Sequence, residues 1–211
     1  MGVLERRERE KTELREKILE AARELFLSEG YDGVSMRKVA EKIEYSPTAI
    51  YLYFEDKEEL FHELCQEDFA RLASIFQERG VSPDPLERIR QIGRLYVDFG
   101  IKFPNHYRLM FMTPHPSSGL HESDLQRKGN PELDAYAFLN QTVQEALQSG
   151  SFREGLTDPD LISQTLWAAI HGVISLGIAK CEEGWVEFRP IEQRADVMLE
   201  GILYGLLREK K

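Results

Sequence analysis

The sequence predicts an all-α protein. Apolar residues recur at spacings of three and four along most of its length, Ser-Pro and Asp-Pro pairs open several of these stretches, and glycines close them. Roughly nine helices follow. They divide into a three-helix part at residues 1–55, with a charged N-terminal extension at 1–11, and a larger helical part at residues 56–211.

In the first part, Leu14, Ile18, Ala21, Ala22, Leu25 and Phe26 mark an amphipathic helix, which Gly30 is expected to end with a left-handed cap. Ser35 caps a second helix with Met36, Val39, Ala40 and Ile43 at helical spacing, and Glu44-Tyr45 then break the pattern, so a turn falls there. Ser46 caps again. Pro47 at the first helical position, where its missing N–H costs nothing, predicts a helix to about Tyr53. A helix that short must be held by packing, which leaves its outer face available for another role. Asp56 with Glu59 is a capping-box-like start for a longer helix, whose inward stripe is Phe61, Leu64, Cys65, Phe69, Leu72 and Phe76.

That helix ends near Gly80, and Asp84-Pro85 opens another with Leu86, Ile89, Ile92, Tyr96, Phe99 and Phe103 inward until Pro104 breaks it. Residues 105–112 carry Tyr107, Leu109, Met110, Phe111 and Met112 and are too apolar for a linker, whereas 113–129, rich in Pro, Ser and Gly, read as a mobile loop. Asn130-Pro131 restarts helix to about Gln148, with Leu133, Tyr136, Val143 and Leu147 inward. Asp158-Pro159 opens a helix to about Cys181 that is apolar almost all round from Leu166 to Ala179, so both its faces need cover. The last helix, from about Pro190 to Arg208, carries Ala195, Met198, Leu199, Ile202 and Leu206.

The formal charge of −10, from 27 Lys+Arg and 37 Asp+Glu, excludes nucleic-acid binding through overall positive charge. Residues 1–60 hold 11 basic and 15 acidic residues, a net of −4, so any phosphate contact must come from a few placed groups such as Arg37, Lys38, Lys42 and Lys57. Arg6, Arg7 and Arg9 either reach phosphates or belong to a solvated tail. With no apolar run of about eighteen residues and no apolar stretch near the N-terminus, neither a membrane span nor a signal peptide is expected, and the location expected is cytoplasmic. Cys65 and Cys181, far apart in helical segments, suit reduced thiols. The sequence has no G-x-S-x-G, no Gly-rich phosphate loop and no H-E-x-x-H, so no enzyme, catalytic residue or cofactor is expected. His106, His115 and His121, with Glu122 or Asp124, match no metal-ligand spacing, so no metal is expected either.

Two short helices about a turn, the second presented outward, form the helix-turn-helix plan that puts a helix into the major groove. Ala21-Ala22, Leu25-Phe26, Gly30-Tyr31, Ser35, Arg37, Val39-Ala40, Ser46, Ile50-Tyr51, Tyr53-Phe54 and Lys57-Glu58-Glu59-Leu60 together resemble the tetracycline-repressor (TetR) family over about residues 12–62. The resemblance implies a homodimeric transcriptional regulator, most simply a repressor, that binds a palindromic operator on duplex DNA and is released by a small, mainly apolar effector. It places Ser35, Met36 and Arg37 at the groove edge, Ser46, Pro47, Thr48, Ala49, Tyr51 and Tyr53 toward DNA, and Lys57 on phosphate, with Ile50 and Phe54 in the core. The chemistry agrees in kind: Arg37 can pair with guanine, Thr48 and Ala49 can meet a thymine methyl, and Tyr51, Tyr53 and Lys57 can hold the backbone. Glu44 stands where the family usually has Gly, and a left-handed conformation there is costly for a residue with a Cβ.

In the larger part, Ala168, Gly172, Ser175 and Ala179 follow one helical stripe, and Gly201 and Gly205 another beside Met198 and Ile202. These stripes read as a twofold interface of a four-helix bundle, the alternative being close packing inside one subunit. Trp167, His171 and Gly172 are similar to a Trp-x-x-x-His-Gly pattern of one C-terminal subgroup of the family. Phe99, Phe103, Tyr107, Met110, Phe111, Tyr136, Phe138 and Trp167 form an aromatic and Met cluster that as a whole reads as an effector pocket, although core packing is the better reading of each residue taken singly. His171 is either a hydrogen-bonded core histidine or a ligand contact. The competing class is a helical ligand-binding or interaction protein without sequence-specific DNA binding.

Overall fold

The computed structural model describes residues 2–114, 122–180 and 186–208, and among these residues it is helical with no strand. In chain order the helices are α1 (Val3–Gly33), α2 (Met36–Lys42), α3 (Pro47–Tyr51), α4 (Lys57–Arg79), α5 (Pro85–Lys102), α6 (Pro104–Phe111), α7 (Glu122–Arg127), α8 (Ala135–Gln148), α9 (Pro159–Lys180) and α10 (Ile191–Leu206). They divide into two compact units. Residues 2–68 with 105–114 form the first, and 69–104 with 122–180 and 186–208 the second.

In the first unit the charged extension is helical from Val3, laced by Arg6–Glu10 (2.7 Å) and Arg9–Glu13 (3.4 Å) pairs one turn apart. Gly30 does not end α1 in the way its position predicts. Its φ of 72° and ψ of 172° lie outside the left-handed helical region, in a conformation open to glycine, and one more turn follows to Gly33. The kink brings Tyr31 over Phe26, with ring centroids 5.7 Å apart, although residues five apart do not share a face of a straight helix. Phe61 of α4 closes this trio at 4.9 Å from Phe26 and 5.4 Å from Tyr31. Ile18, Ala22, Val39, Ala40, Ile50, Phe54, Leu60 and Leu64 complete the core, and Leu109 of α6 joins it. That membership is why residues 105–114 belong to this unit.

A buried ion pair crosses the same core. Arg23 of α1 donates through Nη1 to Asp68 Oδ2 and through Nη2 to Asp68 Oδ1 at 3.2 Å, and both side chains are almost wholly enclosed. His106 of α6 places Nδ1 2.7 Å from the same Oδ1, and because a carboxylate oxygen only accepts, Nδ1 is the donor. His106, weighed with His115 and His121 as a metal ligand, therefore has a structural partner; His115 and His121 lie outside the described residues, as does Cys181.

In the second unit α5 packs on α8, α9 and α10. Gly93 makes room for Leu199, whose Cδ2 would stand 2.9 Å from a Cβ there, and Gly177 makes room for Ile191 at 2.5 Å. Arg88–Glu145 (2.9 Å) and Arg90–Glu200 (2.8 Å) tie α5 to α8 and α10. Three expectations change. The loop predicted at 113–129 contains α7. The restart at Asn130-Pro131 is a turn, and α8 begins at Ala135 because the Asp134 carboxylate accepts from the N–H groups of Tyr136 (2.9 Å) and Ala137 (3.2 Å), leaving Leu133 exposed. Phe69, predicted inward on α4, is exposed as well. α9 is long and apolar enough to span a bilayer by length and composition alone, and about a third of it is buried within the protein.

Substituting Asp68→Asn removes the buried counter-charge of the Arg23 guanidinium, leaving only the exposed Glu20 carboxylate 3.5 Å from Nε, and is expected to destabilise the first unit by about 3 kcal/mol. Glu63→Gln, which breaks only the half-exposed Arg15–Glu63 pair, is expected to cost under about 1 kcal/mol. Urea denaturation of the two variants checks the contrast, and equal midpoints would show that burial adds nothing to the Asp68 pair.

Candidate nucleic-acid interface

The turn between α2 and α3 is built from backbone first. Tyr45 N–H donates to Ala40 O (2.9 Å) and Glu44 N–H to Glu41 O (3.2 Å), and Glu44 takes a φ of 60°, the one positive φ at a non-glycine among the described residues. The glutamate thus occupies the left-handed conformation without glycine's freedom, at a cost of about 1 kcal/mol. Ser35 and Ser46 accept at their Oγ atoms from the N–H groups of Lys38 and Ala49, each at 3.3 Å, and fix the starts of α2 and α3. α3 stops at Tyr51, two residues short of the predicted Tyr53, and is anchored by fully buried Ile50 and by Phe54 just beyond it.

With that anchoring, the predicted DNA contacts separate. Arg37, Ser46, Pro47, Thr48 and Tyr51 are exposed, as is Ser35, while Ala49 is half-buried and Tyr53 packs partly against the core. Met36 differs from its neighbours: at 5% exposure its side chain belongs to the core of α2 beside Val39 and Ala40, the face it must share with them at helical spacing, and is not presented outward with Arg37. Lys57 is half-buried, donates from Nζ to Tyr31 O at 3.0 Å and lies 4.1 Å from the Tyr31 ring centroid. Arg37 Nε pairs with Glu41 (2.8 Å), Lys38 with Glu29, and Lys42 with Glu24 (2.7 Å). Spacing did not single out Tyr45 and Leu52, which are 44% and 78% exposed. The signal available for Leu52 was its position four residues after Thr48.

The candidate effector residues fall in both units. Tyr107, Met110 and Phe111 belong to the first, where Tyr107 and Met110 are buried and Tyr107 and Phe111 pack ring to ring at 4.9 Å. In the second unit Phe99 is enclosed against Phe103 (5.5 Å), Phe138 meets Phe76 (6.3 Å), and Tyr136 meets Trp167 (6.1 Å), whose Nε1–H donates to Tyr96 Oη at 2.9 Å. Burial pushes the pKa of the half-buried His171 imidazole below its ordinary value. A separate cavity of about 400 Å³ lies among α5, α9 and α10, where Gly93, Val97, Ile170, Ala195 and Leu199 meet Arg94, Asp98, Glu192 and Asp196, and none of the nine candidate residues lines it. On α9 and α10, Ala168, Ala179, Gly201 and Gly205 are exposed and Gly172, Ser175, Met198 and Ile202 half-buried. A Cβ at Gly172, Gly201 or Gly205 would meet nothing within 4 Å, so these glycines, unlike Gly93 and Gly177, do not serve packing inside the chain.

Two family descriptions match this chain: "Bacterial regulatory proteins, tetR family" over residues 18–64, and "Tetracyclin repressor-like, C-terminal domain" over residues 89–202. The HTH-type transcriptional repressor AcnR of Corynebacterium diphtheriae is 43% identical over 67 residues, which cover 32% of this chain and 35% of AcnR. The chain thus spans about a third of the length of that relative. The fatty acid metabolism regulator protein of Bacillus subtilis is 26% identical over 165 residues, 75% of this chain and 80% of the relative. Among solved structures, the fatty acid degradation regulator FadR of Bacillus halodurans superposes with a TM-score of 0.71 at 20% identity, covering 92% of this chain and 97% of that one, a likeness of fold.

Replacing Glu44 by Gly removes the left-handed strain and is expected to stabilise the protein by about 1 kcal/mol. A thermal or urea midpoint checks this; an unchanged or lowered midpoint would mean that the Glu44 backbone is not strained in solution.

Proposed function

The chain belongs to the TetR family of bacterial regulatory proteins, and from that premise we propose that it binds a palindromic operator as a homodimer, represses transcription, and is released by a small effector. The observation that carries the proposal is α3: five residues held by Ile50 and Phe54, with Thr48, Tyr51 and the serine-capped start turned outward on a folded helix-turn-helix. Two such helices must enter successive major grooves about 34 to 36 Å apart, which is why the operator should be palindromic. The relatives named repressors and regulators support the same reading.

The partner across the dimer is a second copy meeting α9 and α10. A helix as apolar as α9 that still exposes Leu161, Trp167 and Leu176, beside Val197 at 77% and Tyr204 at 86% exposure, supports an apolar interface, and the open sides of Gly172, Gly201 and Gly205 would admit a close neighbouring helix. Cover by a second copy, with no membrane, is the arrangement a cytoplasmic regulator needs. The effector proposed is small and mainly apolar. The cavity among α5, α9 and α10 supports a ligand of that size with a polar end, since its lining combines aliphatic and charged groups. Binding would act on the operator by preferring one spacing of the two reading helices over the other.

One observation favours a second reading, a ligand-binding or interaction protein without specific DNA binding: Arg37, Lys38 and Lys42 are each paired with a glutamate of the same unit. Selection from a random duplex library separates the two readings. An enriched palindrome is expected, and on it Lys57→Ala is expected to weaken binding to all sequences alike and lower the salt slope by about 1, whereas Arg37→Ala changes which sequences are preferred. No enrichment would leave the second reading. Light scattering without detergent is expected to give a dimer mass, and Tyr204→Arg, placing a charge in the apolar face, is expected to halve it; a monomer in the unaltered protein would remove the twofold arrangement.

A further inference from the structure

The outer face of the reading helix is poor in available charge and rich in methyl groups. Its nearest cations are engaged, Arg37 with Glu41, Lys38 with Glu29 and the Gly33 carbonyl, Lys42 with Glu24, and Lys57 with the Tyr31 carbonyl. Each would have to share or leave a partner before meeting DNA. Leu52 is different: it is 78% exposed, more than any other large apolar side chain of the first unit.

A single exposed leucine is ordinary, but this one has a register. Its backbone keeps helical angles, φ −73° and ψ −15°, so the helical phase of α3 runs through it. Thr48 lies four residues earlier on the same face. Both stand about 200° around the helix from Ile50, which is fully buried, so the face they share points away from the core. The stripe continues the proposed DNA-facing surface, where Tyr51 is 54% exposed beside it.

Resting on the DNA-binding reading above, we infer that Leu52 is a specificity-determining residue: with the Thr48 methyl, it recognises the C5-methyl group of a thymine in each operator half-site. Thymine is the base that offers an apolar group in the major groove, and a leucine side chain can cover it without any counter-charge. Base choice at that position then depends on shape and methyl burial, a term that salt does not screen. This suits a protein whose reading unit carries a net negative charge.

The test uses the full-length protein and the palindrome recovered by selection, with each thymine of a half-site replaced in turn by deoxyuridine, which removes the methyl group and nothing else. At one or two thymines the unaltered protein is expected to lose about fourfold in affinity per methyl, while in Leu52→Ala, which keeps only the Thr48 methyl, that loss shrinks to under about twofold. Leu52→Ala changes an exposed side chain, and an unchanged helical spectrum and thermal midpoint confirm that it is folded. A palindrome insensitive to deoxyuridine, or a penalty that persists undiminished in Leu52→Ala, overturns the inference and leaves DNA binding intact. Failure to select any sequence overturns the DNA-binding reading, and this inference with it.

Discussion

The carboxylate of Asp68 holds the first unit together at the point where three helices must agree. Arg23 reaches it from α1 with two hydrogen bonds and His106 from α6 with one. A charge this deeply enclosed is tolerable only with its partners in place, so the network specifies position more than it adds stability. It also stands where the chain leaves the unit: α4 passes out directly after Asp68, and α6 re-enters at Asn105, next to His106. Any displacement of α4 or α6 must carry α1 along or break hydrogen bonds to a buried carboxylate.

Given that base, α3 can be very short. Five residues are not stable alone, and Ile50 and Phe54 fasten α3 while the Ser46 hydroxyl satisfies its first turn. The left-handed Glu44 shows that the turn geometry is imposed from outside the turn, because the residue present does not favour it. Packing on one side leaves Thr48, Tyr51 and Leu52 on the other. The acidic composition, 15 acidic against 11 basic residues over 1–60, gives that segment no broad positive field.

The second unit uses glycine in two opposite ways. Gly93 and Gly177 are filled by Leu199 and Ile191, closing α5 on α10 and α9 on the segment that begins α10. Gly172, Gly201 and Gly205 face open space on helices that also expose Val197 and Tyr204. The first pair serves the packing of one chain, and the second set is left open by it.

The sequence by itself determined the helices and most of their ends, because caps and apolar spacing act over four residues or fewer: Ser35, Ser46-Pro47 and Asp84-Pro85 each open a helix where they stand. It was ambiguous where two local signals compete, as at Asn130-Pro131 against Asp134, and where glycine has more than one use, as at Gly30. What only the tertiary structure decided was which side of each element is covered. Met36 is claimed both by the apolar stripe of α2 and by the groove edge, and Leu52 by neither reading; only the closed fold buries the first and leaves the second in the open. Arg23, Asp68 and His106 are separated by 45 and 38 residues, so no local pattern could join them. Helix formation is local physics; burial and long-range charge pairing exist only once the chain has closed on itself.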